Sequence, residues 1–287
     1  MILMGNFLYW LMIVFLFAFA FGSYALCKKF GKKFTWIFIL TILWVNFLLH
    51  FAKQFNPFYR QDFPYSLRMS SGENICAISI MVMPFVFLYG PDDLKDYMIY
   101  IGIISGLGVY FFPTALIGLD ISKSENLLEV VRFYFCHMGL VVCPFLLVST
   151  GLHTPGYKHV FKMPIFFLIH MGINYLNEIL LTGSGLMSVS WETLLSRDFH
   201  NGGCAKGPAT SWDSFASWFY WAFLHFEYDG ELYFIPIIWG FFPIMIAGPI
   251  LAFLLSLPFN LRNVRVDLEG LKQKLLLRTQ SKVFALK

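Results

Sequence analysis

Charge is what this sequence has least of. Of its 287 residues only 13% are charged, against 58% hydrophobic and 20% aromatic, where soluble domains carry roughly 25% charged residues. With half the usual solubilising surface missing and a mean hydropathy of +0.66, a water-soluble domain and a disordered chain are both excluded. Cysteine offers no framework either. The five present form no CxxC pair and no zinc spacing, which removes a secreted disulfide scaffold and a structural metal site. No internal repeat and no low-complexity tract occurs, and no cofactor motif, so no cofactor and no metal is expected. A net charge of +4 does not make a nucleic-acid binder of so apolar a chain. What is left is an all-α polytopic bundle crossing the cell membrane, because helices are how an apolar chain satisfies its backbone in lipid.

A crossing needs roughly 20 mainly apolar residues, and the sequence predicts seven such spans. They run Leu3 to Leu26, Phe34 to Phe51, Ser71 to Tyr89, Tyr97 to Ile117, Leu127 to Val148, Met163 to Leu181 and Leu232 to Leu257. The first has no basic stretch before it, and Lys28, Lys29, Lys32 and Lys33 follow it, so it reads as a retained helix and not as a signal peptide. Ser70-Ser71-Gly72-Glu73 has the spacing of a capping box for the third span. Lys and Arg gather in cytoplasmic loops. Placing the Lys28–Lys33 turn inside puts 14 of the 21 basic residues on that face, and so predicts an outside N-terminus and an inside C-terminus. Residues 1–258 then form the membrane domain and 259–287 a basic cytoplasmic tail, with Leu268, Leu271 and Leu275 to Leu277 against the anionic leaflet. One long outer loop, 182–231, carries an aromatic run at 211–228, including Trp212, Trp218 and Trp221. That run predicts an interfacial or re-entrant helix, since Trp and Tyr favour the membrane interface.

Few polar side chains remain inside the spans, and each must find a partner or mark a site. They are His50, Glu73, Asn74, Cys76, Arg132, His137, His170, Asn174, Asn177 and Glu178. At about 1.5 Å per residue, Cys76 lies roughly 7 Å and His137 roughly 15 Å from the outer end of its span. Most of the others fall in the same outer half. His170, Asn174, Asn177 and Glu178 recur at helical spacing and form one stripe, which should face the bundle interior. Interhelical hydrogen bonding is the plainer reading of that stripe. A thiol and an imidazole at compatible depth are the parts of nucleophilic acyl transfer: Cys76 as nucleophile and His137 as base, supported by His50, Glu73, Asn74, Asn174, Asn177 or Glu178. The plainer reading makes Cys76, like Cys136 and Cys143, a small packing residue. Arg60, Arg68 and Arg132, with Lys53 beside Tyr59 and Tyr65, could hold a lipid phosphate, though loop charges are ordinarily just solvated.

These stretches resemble a known family. Phe63-Pro64-Tyr65 with Asn74-Ile75-Cys76, Tyr100-Ile101-Gly102, Gly106-Leu107-Gly108 through Pro113, Phe133-Tyr134-Phe135-Cys136-His137 and Asn174-Tyr175 follow the order of the YwaF-like integral membrane proteins. That bacterial family is related to the eukaryotic TMEM-type acyltransferase that makes polyunsaturated ether phospholipids. The resemblance covers about half of the chain. It implies a thioester on Cys76 with His137 as base, and a membrane phospholipid as the partner. Where the family has a compact Leu-Pro-Leu-His-Leu-Cys run, this chain separates Pro64 from Cys76 by Tyr65 to Ile75 with no His between. A small-molecule or lipid transporter, and a non-catalytic lipid- or partner-binding protein, are the competing classes.

Overall fold

The structure, a computed structural model, describes residues 2–60, 63–186, 190–197, 199, 203–208, 210, 213–228 and 230–285. The chain is helical apart from one small hairpin. In order come α1 (Phe7–Ala52), α2 (Phe63–Met69), α3 (Ile75–Tyr89), α4 (Asp92–Phe111), α5 (Ser124–Ser149), α6 (Met163–Gly183), α7 (Trp191–Leu195), α8 (Asp213–Ala216), strands β1 (His225–Tyr228) and β2 (Glu231–Phe234), and α9 (Phe241–Ala285). Four helical stretches among the described residues are long and apolar enough to cross a membrane: Phe7–Phe55, Ser124–Ser149, Tyr157–Gly183 and Phe241–Leu276. The chain is therefore an all-α integral membrane protein.

α1 is continuous in name only. At Gly31 the backbone turns to φ +82° and ψ −176°, a left-handed conformation that only glycine adopts cheaply. The two halves then run in opposite directions along α5. In the first half, Leu8 and Leu11 border one cavity with Leu127 and Val130 near the start of α5, and Phe21 packs on Phe145 near its end. At the turn the Lys32 ammonium donates to Gly151 O at 3.1 Å. In the second half the contacts return, with Cys143 donating to the Ile39 carbonyl and Asn46 Nδ2 to Cys136 O at 3.0 Å. Two apolar runs separated by four lysines thus become a helical hairpin around α5.

α5 is the axis of the core, and glycines let its neighbours close on it. A Cβ at Gly102 would meet Leu140 O at 2.6 Å, and one at Gly106 would meet Val141 at 2.5 Å, so α4 lies directly on α5. A Cβ at Gly139 would lie 2.0 Å from Asn46 Nδ2. Gly139→Ala should therefore push the buried Asn46 amide off the Cys136 carbonyl and cost about 1–3 kcal/mol, read as a lowered unfolding temperature in detergent. Gly108→Ala, on an open face, should leave it unchanged.

Several expected boundaries move. The capping box before α3 does not form: Ser70 donates to Ser66 O, and Glu73 is taken by Lys53. Asn74 caps the helix instead, accepting from Ala77 N at 2.8 Å; an Asn is as good an N-cap as a Ser. α4 starts at Asp92 and not at Tyr97, because Asp92 and Asp93 suit its N-terminal dipole and because Asp96 is satisfied. Fully buried, Asp96 accepts from His153 Nε2 at 2.6 Å, His159 Nδ1 at 2.7 Å and Gly156 N at 2.9 Å. α4 also stops at Phe111, before Pro113. Lys162 reaches Asp93 at 2.6 Å, and this contact holds the Asp93 carboxyl below the usual carboxylate range. A depressed carboxylate stabilises above its unfolded pKa and loses that contribution as pH falls through the folded one. Asp93→Asn should thus lower stability by about 0.5 kcal/mol at pH 7 and by nothing measurable near pH 2.

The aromatic run at 211–228 is not one helix. Residues 211 and 212, including Trp212, lie outside the described residues; beyond them come only the turn α8, a 3-10 turn at Ser217–Ala222 and strand β1. Aromatic residues serve strands as well as interfaces, and Gly230 at φ +77° closes the hairpin that pairs Tyr228 with Glu231. The last long helix accordingly begins at Phe241, not Leu232, which sits in β2. α9 continues helical through the basic tail to residue 285, with Leu268, Leu271 and Leu275 exposed. Asn260 Nδ2 and Asp267 tie it to Pro155 O and Lys158 of the α5–α6 connection.

Candidate functional site

A cavity of about 490 Å³ lies between the second half of α1, the segment around α2, α3, the end of α4 and α5. Its wall carries His50, Lys53, Tyr59, Glu73, Asn74, Cys76, Glu129, Arg132 and His137, with Ile80, Val109, Phe112 and Phe133 as the apolar part. The two other large cavities, of about 620 and 450 Å³, are lined almost wholly by apolar and aromatic side chains. Of these three cavities, only the first carries charged side chains on its wall.

Each polar group there is positioned by a nearby partner. Arg132 sits one helical turn after Glu129 and clamps its carboxylate with Nε, at 2.7 Å from Oε2, and with Nη2 on Oε1. The fork geometry of guanidinium on carboxylate makes this the strongest ion pair of the site. Tyr59 donates to the same carboxylate and accepts from Arg132 Nη2 at 3.3 Å. Burial pushes the Tyr59 phenol above its ordinary range, so it stays a donor. Lys53, only 5% exposed, donates to Met69 O at 2.6 Å and to Glu73 Oε1 at 3.2 Å. Two cations thus face two carboxylates, and the charges balance.

His50 Nε2 lies 3.1 Å from Ser71 O. His137 Nδ1 lies 2.7 Å from Phe133 O. A carbonyl only accepts, so each of these nitrogens carries the proton, and Nε2 of His137 is left with its lone pair. Cys76 projects from the first turn of α3, within hydrogen-bonding reach of the Ser105 hydroxyl on α4. The thiol and the imidazole line one cavity without a hydrogen bond between them.

The remaining expected site residues lie elsewhere. Asn174 Nδ2 donates to Gly72 O at 2.7 Å and Asn177 Nδ2 to Ser71 Oγ at 2.9 Å, so both pin the segment leading into α3. Glu178 pairs with Lys206 at 3.2 Å, both 2% exposed. His170 accepts from the Tyr97 hydroxyl at 2.9 Å and donates to Ile75 O at 3.0 Å. The stripe does face inward, but it braces α3 and the long loop after α6 rather than the imidazole of His137. Arg60 is exposed and away from the cavity wall. Arg68 stacks over Tyr65 at 5.5 Å and lies 3.9 Å from Glu73. Among the described residues no group of three or more His, Cys, Asp and Glu is arranged to hold a metal.

The chain matches no protein-family model, no curated protein and no solved structure.

Sequence reasoning missed Glu129, whose signal was its i, i+3 spacing to Arg132, and set Tyr59 beside a phosphate-binding rim, where the structure turns its hydroxyl onto the Glu129 carboxylate. Lys206, in the long loop after α6, was missed as a buried charge because its partner Glu178 is far away in sequence.

Proposed function

We propose that this protein is a phospholipid-modifying membrane enzyme that moves or hydrolyses an acyl chain through Cys76, with His137 as general base. It would span the cell membrane seven times with its N-terminus outside, belong with the YwaF-like proteins, and take a membrane phospholipid as substrate. The observation that carries the reading is the shared cavity: a thiol from α3 and an imidazole from α5, with its Nε2 lone pair free, border one space that has both balanced charges and an apolar wall. The reversal at Gly31 supports two crossings within α1, and the Lys28–Lys33 turn supports its orientation.

The steps balance with no cofactor. His137 Nε2 takes the Cys76 proton as the thiolate forms a bond to the ester carbonyl carbon; the carbon–oxygen ester bond breaks and the leaving alkoxide receives the imidazolium proton. A thioester and a lysolipid alcohol result. An acceptor hydroxyl, or water, then gives its proton to His137, attacks the thioester and releases the thiol. Arg132 and Lys53 line the same cavity and would be the groups to meet a head-group phosphate, in exchange for part of their pairing with Glu129 and Glu73.

The test is labelling with a phospholipid that carries an alkyne-tagged acyl chain, followed by hydroxylamine, which cleaves thioesters. Wild type should give a hydroxylamine-sensitive label that Cys76→Ala abolishes. Equal labelling of wild type, Cys76→Ala and His137→Ala would remove the reading.

A further inference from the structure

The Lys28–Lys33 turn does more than set orientation. Where it meets the end of α5 there is a separate polar pocket of about 270 Å³, lined by Tyr24, Cys27, Lys28, Gly31, Lys32, Thr35, Ser149 and Thr150. No carboxylate lines it. Among the described residues none of Lys28, Lys29, Lys32 and Lys33 is in an ion pair, whereas Lys53, Lys158, Lys162 and Lys206 each face a carboxylate. Lys32 spends one donor on Gly151 O at 3.1 Å, and Lys28 leans over the Tyr24 ring at 6.0 Å. The Ser149 hydroxyl is buried and has no hydrogen-bond partner among the described residues. The break at Gly31 also restarts a helix at Lys32, and the first backbone N–H groups of a helix have no intrahelical carbonyl to bond. At the carbonyl end of α5, the Leu146, Leu147 and Val148 carbonyls are already taken by the N–H groups of Thr150, Gly151, Leu152 and His153.

Unpaired ammonium groups, an orphan hydroxyl and a helix start converge on one small space, and all are donors. We propose that this pocket binds a phosphate group, carried either by an anionic membrane lipid or by a soluble phosphate. Lys28 and Lys32 supply the charge, and Ser149 with the backbone beyond Gly31 supplies directional hydrogen bonds. The pocket lies at the opposite end of the hairpin from His50 and Lys53, so the inference does not rest on the chemistry of Cys76.

The test uses the full chain in nanodiscs of phosphatidylcholine alone or with phosphatidylglycerol, reading retained lipid by native mass spectrometry. A parallel arm measures radiolabelled inorganic phosphate by equilibrium dialysis in phosphatidylcholine discs. Lys28→Gln with Lys32→Gln is compared with Lys29→Gln and Lys33→Gln, which removes the same charge outside the pocket. The pocket pair should weaken binding roughly 30-fold and the outer pair by no more than a few fold. Ser149→Ala should cost about fivefold while changing no charge. Retention in the phosphatidylglycerol arm identifies a lipid source, and binding in the inorganic arm a soluble one. An equal loss in the two lysine pairs, or no binding in either arm, would overturn the proposal.

Discussion

Cys76→Ala should lower acyl transfer at least about 10⁴-fold, the scale on which removing a covalent nucleophile acts, and should leave the fold intact. The thiol sits at the first turn of α3, where its loss removes one sulfur from a partly exposed position, so a collapsed protein is not the expected result. His137→Gln should cost less, about 10²- to 10⁴-fold, as for other general bases, because a thiol retains some thiolate without help. Cys136→Ala is the control. Cys136 is fully buried beside Arg132 and does not line the cavity, so its removal should change packing and not turnover. The measurement is release of lysolipid from a defined phospholipid in detergent micelles, with circular dichroism to check that each variant is helical. Full turnover in Cys76→Ala would end the covalent mechanism, even if the cavity were still a lipid site.

Lys206→Met should destabilise the protein by about 3–5 kcal/mol, the cost of leaving one charge of a buried pair alone. Lys206 holds three groups together: it pairs with Glu178 on α6 and donates to the carbonyls of Leu194 and Phe199 in the loop after α6. Gly203 lies against Asn174, and the Ala205 carbonyl receives Ile237 N, so the residues around Lys206 are plugged into the bundle. Without the ammonium the Glu178 carboxylate is stranded in a space 2% exposed to solvent. The paired replacement Glu178→Leu with Lys206→Met removes both charges and should recover most of the loss, since two well-packed apolar groups match a buried ion pair or exceed it. Unfolding temperatures of the four proteins in one detergent give the double-mutant cycle. Limited proteolysis adds a local readout: the single variant should be cut between 194 and 208 faster than wild type. Additive losses across the cycle would show that the two side chains act separately.

How much of this was legible in the sequence depends on how far apart the deciding residues are. α5 and α6 lie within three residues of their expected bounds, because each is a long, mainly apolar run with clear ends. The turn at Lys28–Lys33 was equally plain. The start of α3 was not, since Ser70 and Asn74 are both competent caps and only the capture of Glu73 by Lys53 decides between them. The same aromatic residues suit an interface helix and a hairpin, so 211–228 read as a helix until the pairing of β1 with β2 was in view. At the site, depth arithmetic brought Cys76 and His137 to one region, and they do share a cavity. Asn174, Asn177 and Glu178 were also at the right depth, yet they turn toward Gly72, Ser71 and Lys206. Depth fixes height in a bundle, and rotation of α6 about its own axis is set by partners far away in sequence.

The hydrogen bond from Asn46 to the Cys136 carbonyl joins residues 90 positions apart, and this separation has a meaning for synthesis. At about 5–20 residues per second, the hairpin leaves the ribosome roughly 5–18 s before α5 exists to receive it. During that interval the Asn46 amide lacks the Cys136 carbonyl that it bonds in the folded protein. A chain truncated before Ser124 should then behave as a loosely inserted intermediate, open to quality-control proteases, and addition of α5 alone should close it.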